Sequence, residues 1–359
     1  MPEPFVAIDA RQLTERNTGD TSYWRGLVGG LAEIDTGLRF LLYSNAERPS
    51  WIPEDDRFAW IVLPGGGRWW SLYSFPVDAR RRGAEVIHTQ YNLSPLAKGI
   101  GVTTIHDVSF FVGPEWFGWR DRLILRSQIP GSVARAARVI TVSETSKLEI
   151  ERFIPAAAGK VRVTYNALGV NISPMSEEDA ERIVRQDLGI AGPYLFTVGT
   201  RWPRKNMRLA VEAAGLLPGS VRHKLVVAGK AGWGDLPRND RRVYTGYVSD
   251  EQLTALYQCA DLYLAPSLHE GFGIPLLEAW ACGCPVLCSS GGALPEIAGD
   301  AAEVMESWEA RDWANRIAGL LSDSSKLGPL RERGLRRLAE FSWTDTARKT
   351  AEVYREVIG

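Results

Sequence analysis

Residues Leu262–Cys288 read LYLAPSLHEGFGIPLLEAWACGCPVLC, and this stretch decides the fold. Leu262–Ala265 is a short apolar run of strand length. Glycines 271 and 273 follow it, and a backbone without Cβ atoms there can approach a ligand closely. Pro275 suits the first turn of a helix over Pro275–Cys282, because its missing N–H would lack an intrahelical partner in any case. Pro285–Cys288 is the next strand. A strand, a glycine-bearing loop, a helix and another strand form one unit of a parallel sheet covered by helices.

The same alternation runs outward in both directions. Toward the N-terminus the strands are Phe5–Ile8, Arg39–Tyr43, Phe58–Leu63, Val86–His88, Val102–Ile105, Arg138–Val142 and Val161–Val163. Around the central stretch lie Tyr194–Val198, Lys224–Ala228, Val243–Thr245 and, beyond it, Ala302–Met305. Helical periodicity fills Met207–Leu217, Asp250–Cys259 and Trp308–Leu321, and Ser249 with Gln252 makes a capping box. Gly65–Gly67 and Ala156–Gly159 read as surface loops. Thirteen strands exceed one twisted sheet, so two doubly wound, Rossmann-like domains are expected, with ligands in a central cleft at the carboxyl ends of the strands. The joint falls in the polar, acidic segment between Asn166 and Gly192. The expected domains are 1–170, 171–342 and a C-terminal helix over 343–359 that can pack back on the first.

The chain has 359 residues, 45% hydrophobic and 24% charged, which excludes disordered and fibrous classes. With 42 basic and 43 acidic residues the net charge is −1, unlike the cationic surface of a general nucleic-acid binder. The four cysteines (259, 282, 284 and 288) have no metal-ligand spacing and read as buried, reduced thiols. No signal peptide opens the chain and no apolar run reaches bilayer length, so a cytoplasmic protein is expected. RWWSLYSF (Arg68–Phe75), Arg80–Arg82 and PEWFGWRDRLILR (Pro114–Arg126) mix aromatic and basic residues. They fit buried aromatics beside a solvated basic face, the lining of an acceptor channel, or peripheral contact with anionic lipid at the inner face of the cell membrane.

In EGFGIPLLE two carboxylates, Glu270 and Glu278, stand eight positions apart, and the helix start beside them can bind phosphate or sugar oxygens. VGTRWPRKN, the turn after Tyr194–Val198, brings Arg201, Arg204 and Lys205 to the same sheet end. Cations there suit a diphosphate whose charge grows as a bond to it breaks. Lys205 is assigned to that task, whereas Arg204 reads as a solvated surface residue.

These segments resemble the family-four retaining glycosyltransferases, which have the two-domain B-type fold. The likeness is carried by EGFGIPLLE and its extension EAWACGCPVLCSSGGALPEIAGDAA. VGTRWPRKN, GYVSDEQLTALYQCADLYLAPS, IHDVSFF and VITVSETSKLEIERF add to it. It implies a hexosyltransferase acting on a nucleotide-diphosphate sugar, GDP-mannose being the expected donor, and on a glycan or lipid-linked glycan acceptor. Glu278 would then bind the ribose, and Glu270 the donor-sugar hydroxyls together with the backbone of Gly271, Phe272, Gly273 and Ile274. Lys205 would neutralise the diphosphate. Its usual arginine partner directly follows the glycine; Thr200 occupies that place here, and Arg201 comes next. Val248 would read the base through its backbone, and His106 of IHD would touch the donor sugar. Asp107 would fix His106 or the nearby backbone, with Tyr91 and Asn92 on the acceptor side. In NTGDTSYWRGL the family's second glycine is missing, leaving Gly19 as the donor-binding position. No D-x-D occurs, so no metal is expected, and positive side chains and helix N-termini would carry the electrostatic work. Front-face substitution with an α-linked product follows from the resemblance. A sugar-nucleotide epimerase of the same fold and a non-catalytic glycan-binding protein are the alternatives.

Overall fold

The computed structural model describes residues 3–14, 19–52, 54–169, 172–230, 232, 236–237 and 240–359. The chain divides into two compact units, 1–167 with 342–359, and 168–341. Residues 170 and 171, where the sequence places the domain boundary, lie outside the described residues, as do Asn17 and Thr18.

The first unit holds a parallel sheet of seven strands in the order β3-β2-β1-β4-β5-β6-β7. These are β1 (Phe5–Asp9), β2 (Arg39–Ser44), β3 (Phe58–Val62), β4 (Ala84–Gln90), β5 (Gly101–Thr104), β6 (Arg138–Thr141) and β7 (Val161–Val163). The second unit holds six strands in the order β10-β9-β8-β11-β12-β13. These are β8 (Tyr194–Val198), β9 (Lys224–Ala228), β10 (Arg242–Gly246), β11 (Leu262–Ala265), β12 (Val286–Ser289) and β13 (Glu303–Met305). All thirteen occur within two residues of the bounds read from the sequence. Their inner residues are apolar on both faces because helices cover both sides. Leu195, Leu225, Val227, Leu264 and Leu287 meet Trp313 and Ile317 in the second core, and Ala7, Ile87 and Val139 meet Trp70 and Ile150 in the first.

In both sheets the strand order reverses once, between β1 and β4 and between β8 and β11. Crevices form at such reversals, because the loops on either side turn away from each other. The chain after β8 and β11 is VGTRWPRKN and the EGFGIPLLE segment.

Two local expectations change. The acidic segment after Asn166 is not only a connector: Ser176 caps a helix, Glu177–Arg182, continued by a wider helical turn over Ile183–Asp187, and the two pack on Asp250–Gln258 and bury Ala180, Ile183 and Val184. Its charges are the solvent face of an amphipathic turn. Ala157 is buried within a short 3₁₀ turn instead of lying on a surface loop.

The last helix, Trp343–Ile358, packs on Gly19–Glu33 within the first unit. Close approach depends on Gly30, where a Cβ would fall 2.3 Å from the Trp343 carbonyl oxygen. Among the described residues no helix is long and apolar enough to cross a membrane.

Candidate functional site

At the reversal in the second sheet, β11 delivers Glu270 into a small hollow lined by Thr197, Lys205, Ser267, Gly273 and Pro275. Glu270 is only 8% exposed, and a single parallel bridge to Gly292 fixes its backbone. Its Oε1 accepts hydrogen bonds from Lys205 Nζ at 2.6 Å and Ser267 Oγ at 2.6 Å. Its Oε2 accepts from Arg204 Nη1 at 3.0 Å, and the same nitrogen donates to the His269 carbonyl at 2.7 Å. Burial by itself would raise the pKa of this carboxyl. The two cations and the hydroxyl outweigh burial and hold its pKa down at about 2.

The cations arrive together because of the turn before the helix Met207–Gly215. Pro203 opens a 3₁₀ turn, Pro203–Lys205, and Asn206 closes it in the left-handed region at φ 44°. Asparagine is one of the few residues that take this conformation readily. Arg204, read from sequence as a surface residue, is thereby turned onto Glu270. Arg201 is not: its guanidinium lies 4.8 Å from the ring centre of Tyr244, and among the described residues its buried Nε has no hydrogen-bond partner. Thr200 beside it is partly exposed.

The helix after the second glycine is Ile274–Ala281. Gly273 caps it at φ 107°, and a Cβ there would fall 2.9 Å from Leu294 Cδ2, so both backbone angle and space demand glycine. Phe272 turns inward onto Phe341, ring centres 5.6 Å apart, which leaves its backbone as the part that can serve a ligand. Glu278 sits one turn into this helix, and its Oε2 accepts from the Tyr257 hydroxyl at 2.9 Å. Burial pushes its carboxyl upward despite that bond and the nearby Lys205. Val248 is buried, just ahead of the capping box formed by Ser249 and Gln252.

In the first unit, His106 follows β5 and Tyr91 follows β4, at the carboxyl edge of that sheet. His106 Nε2 lies 2.6 Å from Gln90 Nε2, and its ring meets Tyr23 edge-on at 4.8 Å and Tyr91 at 5.9 Å. Asp107 Oδ1 accepts from the Ser109 backbone at 2.8 Å and its hydroxyl at 2.5 Å, so it shapes the turn after His106. Tyr91 adopts φ 60°, and Asn92 beside it is exposed. Gly19 begins the helix Gly19–Glu33. Behind these residues His88 is fully buried between the Tyr354 hydroxyl (2.7 Å) and Thr104 Oγ1 (2.8 Å). Burial and the neighbouring His106 push its pKa down to about 3.

Sequence reasoning missed Arg204, Ser267, Tyr257, Gln90 and His88. Ser267 and Arg204 carry a usable signal, lying within the two quoted loops. The other three are recruited across the fold. Among the described residues no group of three His, Cys, Asp or Glu side chains is placed to hold a metal ion. All four cysteines are free; Cys284 and Cys288 are buried, and burial pushes the partly exposed Cys259 and Cys282 up to about 11 and about 12. The aromatic stretches divide: Trp70 and Phe75 are core, whereas Trp69, Tyr73, Trp119, Leu123 and Ile124 are exposed.

Residues 35–171 match the family model described as Glycosyltransferase Family 4, and residues 181–337 match that described as Glycosyl transferases group 1. The O-antigen chain mannosyltransferase B of Escherichia coli is 34% identical over 266 residues, covering 71% of this chain and 70% of the relative. The serotype-specific mannosyltransferase WbdA of Escherichia coli is 28% identical over 62% of this chain, which spans only 29% of that longer relative. Among solved structures, sucrose-phosphate synthase from Thermosynechococcus elongatus aligns over 98% of both chains with a TM-score of 0.73 at 21% identity. Anabaena HepE in complex with UDP and glucose aligns over 99% of this chain and 100% of its own, with a TM-score of 0.71 at 18% identity. The two parallel, Rossmann-like units therefore have the B-type glycosyltransferase fold, and the protein is a transferase enzyme. The chain belongs to the family-four glycosyltransferases.

Proposed function

We propose that this glycosyltransferase moves mannose from GDP-mannose to a glycan or lipid-linked glycan acceptor, with retention, to give an α-linked product. The observation that carries this reading is Glu270, kept ionised by Lys205 and Arg204 beside the helix start at Ile274. A carboxylate with both oxygens engaged by cations is a poor covalent nucleophile, so its role is to orient sugar hydroxyls. The cations are those a departing diphosphate needs: its charge rises as the anomeric carbon–oxygen bond breaks, and they stabilise that charge. Backbone groups of Gly271, Phe272, Gly273 and Ile274 complete the sugar site; Glu278 takes the ribose, and Val248 and Thr200 lie along the nucleotide. His106 touches the donor sugar. The acceptor oxygen bonds the anomeric carbon on the face the phosphate leaves, and its proton departs with that phosphate. The names of the mannosyltransferase relatives support mannose as the sugar. The missing D-x-D pair supports a reaction without an essential metal.

An acceptor joined to a lipid would lie at a membrane surface. Exposed Trp119, Leu123 and Ile124 lie with Arg120 and Arg126 on one helix, Trp119–Arg135, and support peripheral contact with anionic lipid.

A panel of nucleotide sugars tests the donor by thermal shift, since a ligand at 100 times its Kd adds about 2.7 kcal/mol of stability. NMR assignment of the product's anomeric proton tests the stereochemistry, and a strong chelator tests metal dependence. A β-linked product, a shift with UDP-glucose and none with GDP-mannose, or activity abolished by chelator and restored by magnesium or manganese each overturns the corresponding part.

A further inference from the structure

We infer that Gln90 is a positioning residue: a hydrogen-bond relay from Trp24 through Gln90 holds His106 neutral, with its proton on Nδ1. The inference rests on the reading above only in placing His106 at the sugar; the relay itself is a matter of donors and acceptors.

An indole nitrogen donates and cannot accept. Trp24 is fully buried, and its Nε1 donates to Gln90 Oε1 at 2.9 Å. That contact settles which end of the Gln90 amide is which, because the flipped amide would set an N–H against an N–H. The other end is then an NH₂ group, 2.6 Å from His106 Nε2. An amide nitrogen has no lone pair to offer, so His106 Nε2 must accept, and a ring nitrogen that accepts carries no proton. At neutral pH this arrangement excludes both the imidazolium and the Nε2–H form, leaving the Nδ1–H tautomer.

The geometry around the relay is rigid. Gln90 is the last residue of β4, paired in register with Thr104 of β5. The Asn92 backbone donates back to the Gln90 carbonyl at 2.6 Å, across the left-handed Tyr91. Trp24 is wedged against Tyr23 and His88, ring centres 5.4 Å and 4.9 Å away. Tyr23 and Tyr91 flank the His106 ring, and Asp107, next in sequence, spends its Oδ1 on Ser109. His106 therefore presents an N–H at Nδ1, suited to donate to an oxygen of the sugar.

The protein has four histidines, so the tautomer is readable in the intact chain by long-range ¹H–¹⁵N correlation, with the His106 signals assigned from a His106→Ala spectrum. At neutral pH the wild type should show a pyrrole-type Nδ1 and a pyridine-type Nε2. Gln90→Glu replaces the donor with an acceptor of nearly the same shape and should put a proton on Nε2. Gln90→Leu removes the relay and should release the ring to mixed tautomers. In both variants kcat should fall roughly 10- to 100-fold, the cost of a misplaced reacting contact, with nucleotide affinity unchanged. A protonated Nε2 in the wild type, or unaltered His106 signals in both variants, overturns the relay. Wild-type kcat in Gln90 variants whose tautomer has changed overturns its role in turnover. If His106→Ala itself keeps wild-type kcat, the placement of His106 at the sugar fails, while the measured tautomer still decides the relay.

Discussion

Glu270, Lys205 and Arg204 share one task, and their substitutions should not behave alike. On the proposed function, Lys205→Ala and Arg204→Ala each remove a charge that matters most when the diphosphate departs. Turnover should therefore drop by ~10²–10³ while donor affinity changes less. Steady-state kinetics beside a binding titration check this, and a loss confined to KM would reduce either residue to ground-state binding. Glu278→Ala should instead weaken donor binding by ~1.5–3 kcal/mol, because it removes a charge-assisted acceptor. The cluster also sets a pH dependence. The Glu270 pKa is depressed in the fold to about 2, so its ion pairs stabilise the second unit fully above the ordinary glutamate value near 4.5. That contribution is lost as pH falls from about 4.5 toward 2. Acid unfolding of Lys205→Ala should begin at higher pH than in the wild type, and coincident acid transitions would argue against the pairing. Arg204 shows where residue-level reading stopped. The choice between Arg201 and Arg204 is made by the left-handed Asn206, and the sequence PRKN names that residue without stating which way it turns the chain.

At the scale of elements, the strands were legible because parallel strands buried on both faces must be apolar throughout. KLVVA and LYLA leave no other reading once turns bound them. The acidic connector was not legible as a helix, since its charges mask the small buried set of Ala180, Ile183 and Val184. The helix Ile274–Ala281 depends on one backbone position. Gly273→Ala would place a side chain at φ 107° and push into Leu294, at a cost of ~1–3 kcal/mol. Because the same residue sets the angle at which the helix start faces Glu270, donor affinity should fall together with stability. Chemical denaturation and a nucleotide-sugar titration on one preparation test both, and an alanine variant with unchanged stability would show that the turn relaxes freely.

At the scale of the whole molecule, the chain leaves its first unit after Ala167 and returns to it at Ser342, and the helix that returns is structural. Trp343 fills the space that Gly26 and Gly30 leave open, and Tyr354 supplies the hydroxyl that satisfies buried His88. The sequence could place that helix after the second domain but could not supply its partners, because His88 and Tyr354 are 266 positions apart. Ending the chain at Phe341 would expose the face of Gly19–Glu33 and leave His88 Nδ1 without Tyr354, in a unit that holds His88 neutral. The His88 pKa is depressed from 6.5 to about 3, so the first unit should be most stable above pH 6.5. It should weaken as pH falls toward 3, by up to ~1.4 kcal/mol per pH unit from this group. The truncated chain should unfold its first unit at lower temperature than the full chain. The second unit, with its own sheet and core, should keep its nucleotide affinity. Turnover should vanish, because His106 and Gln90 stand on the weakened unit. Calorimetry between pH 5 and pH 8 with a nucleotide titration separates these outcomes. A truncated protein with the full chain's transitions and turnover would show that the returning helix is dispensable, and that His88 is satisfied by Thr104 alone.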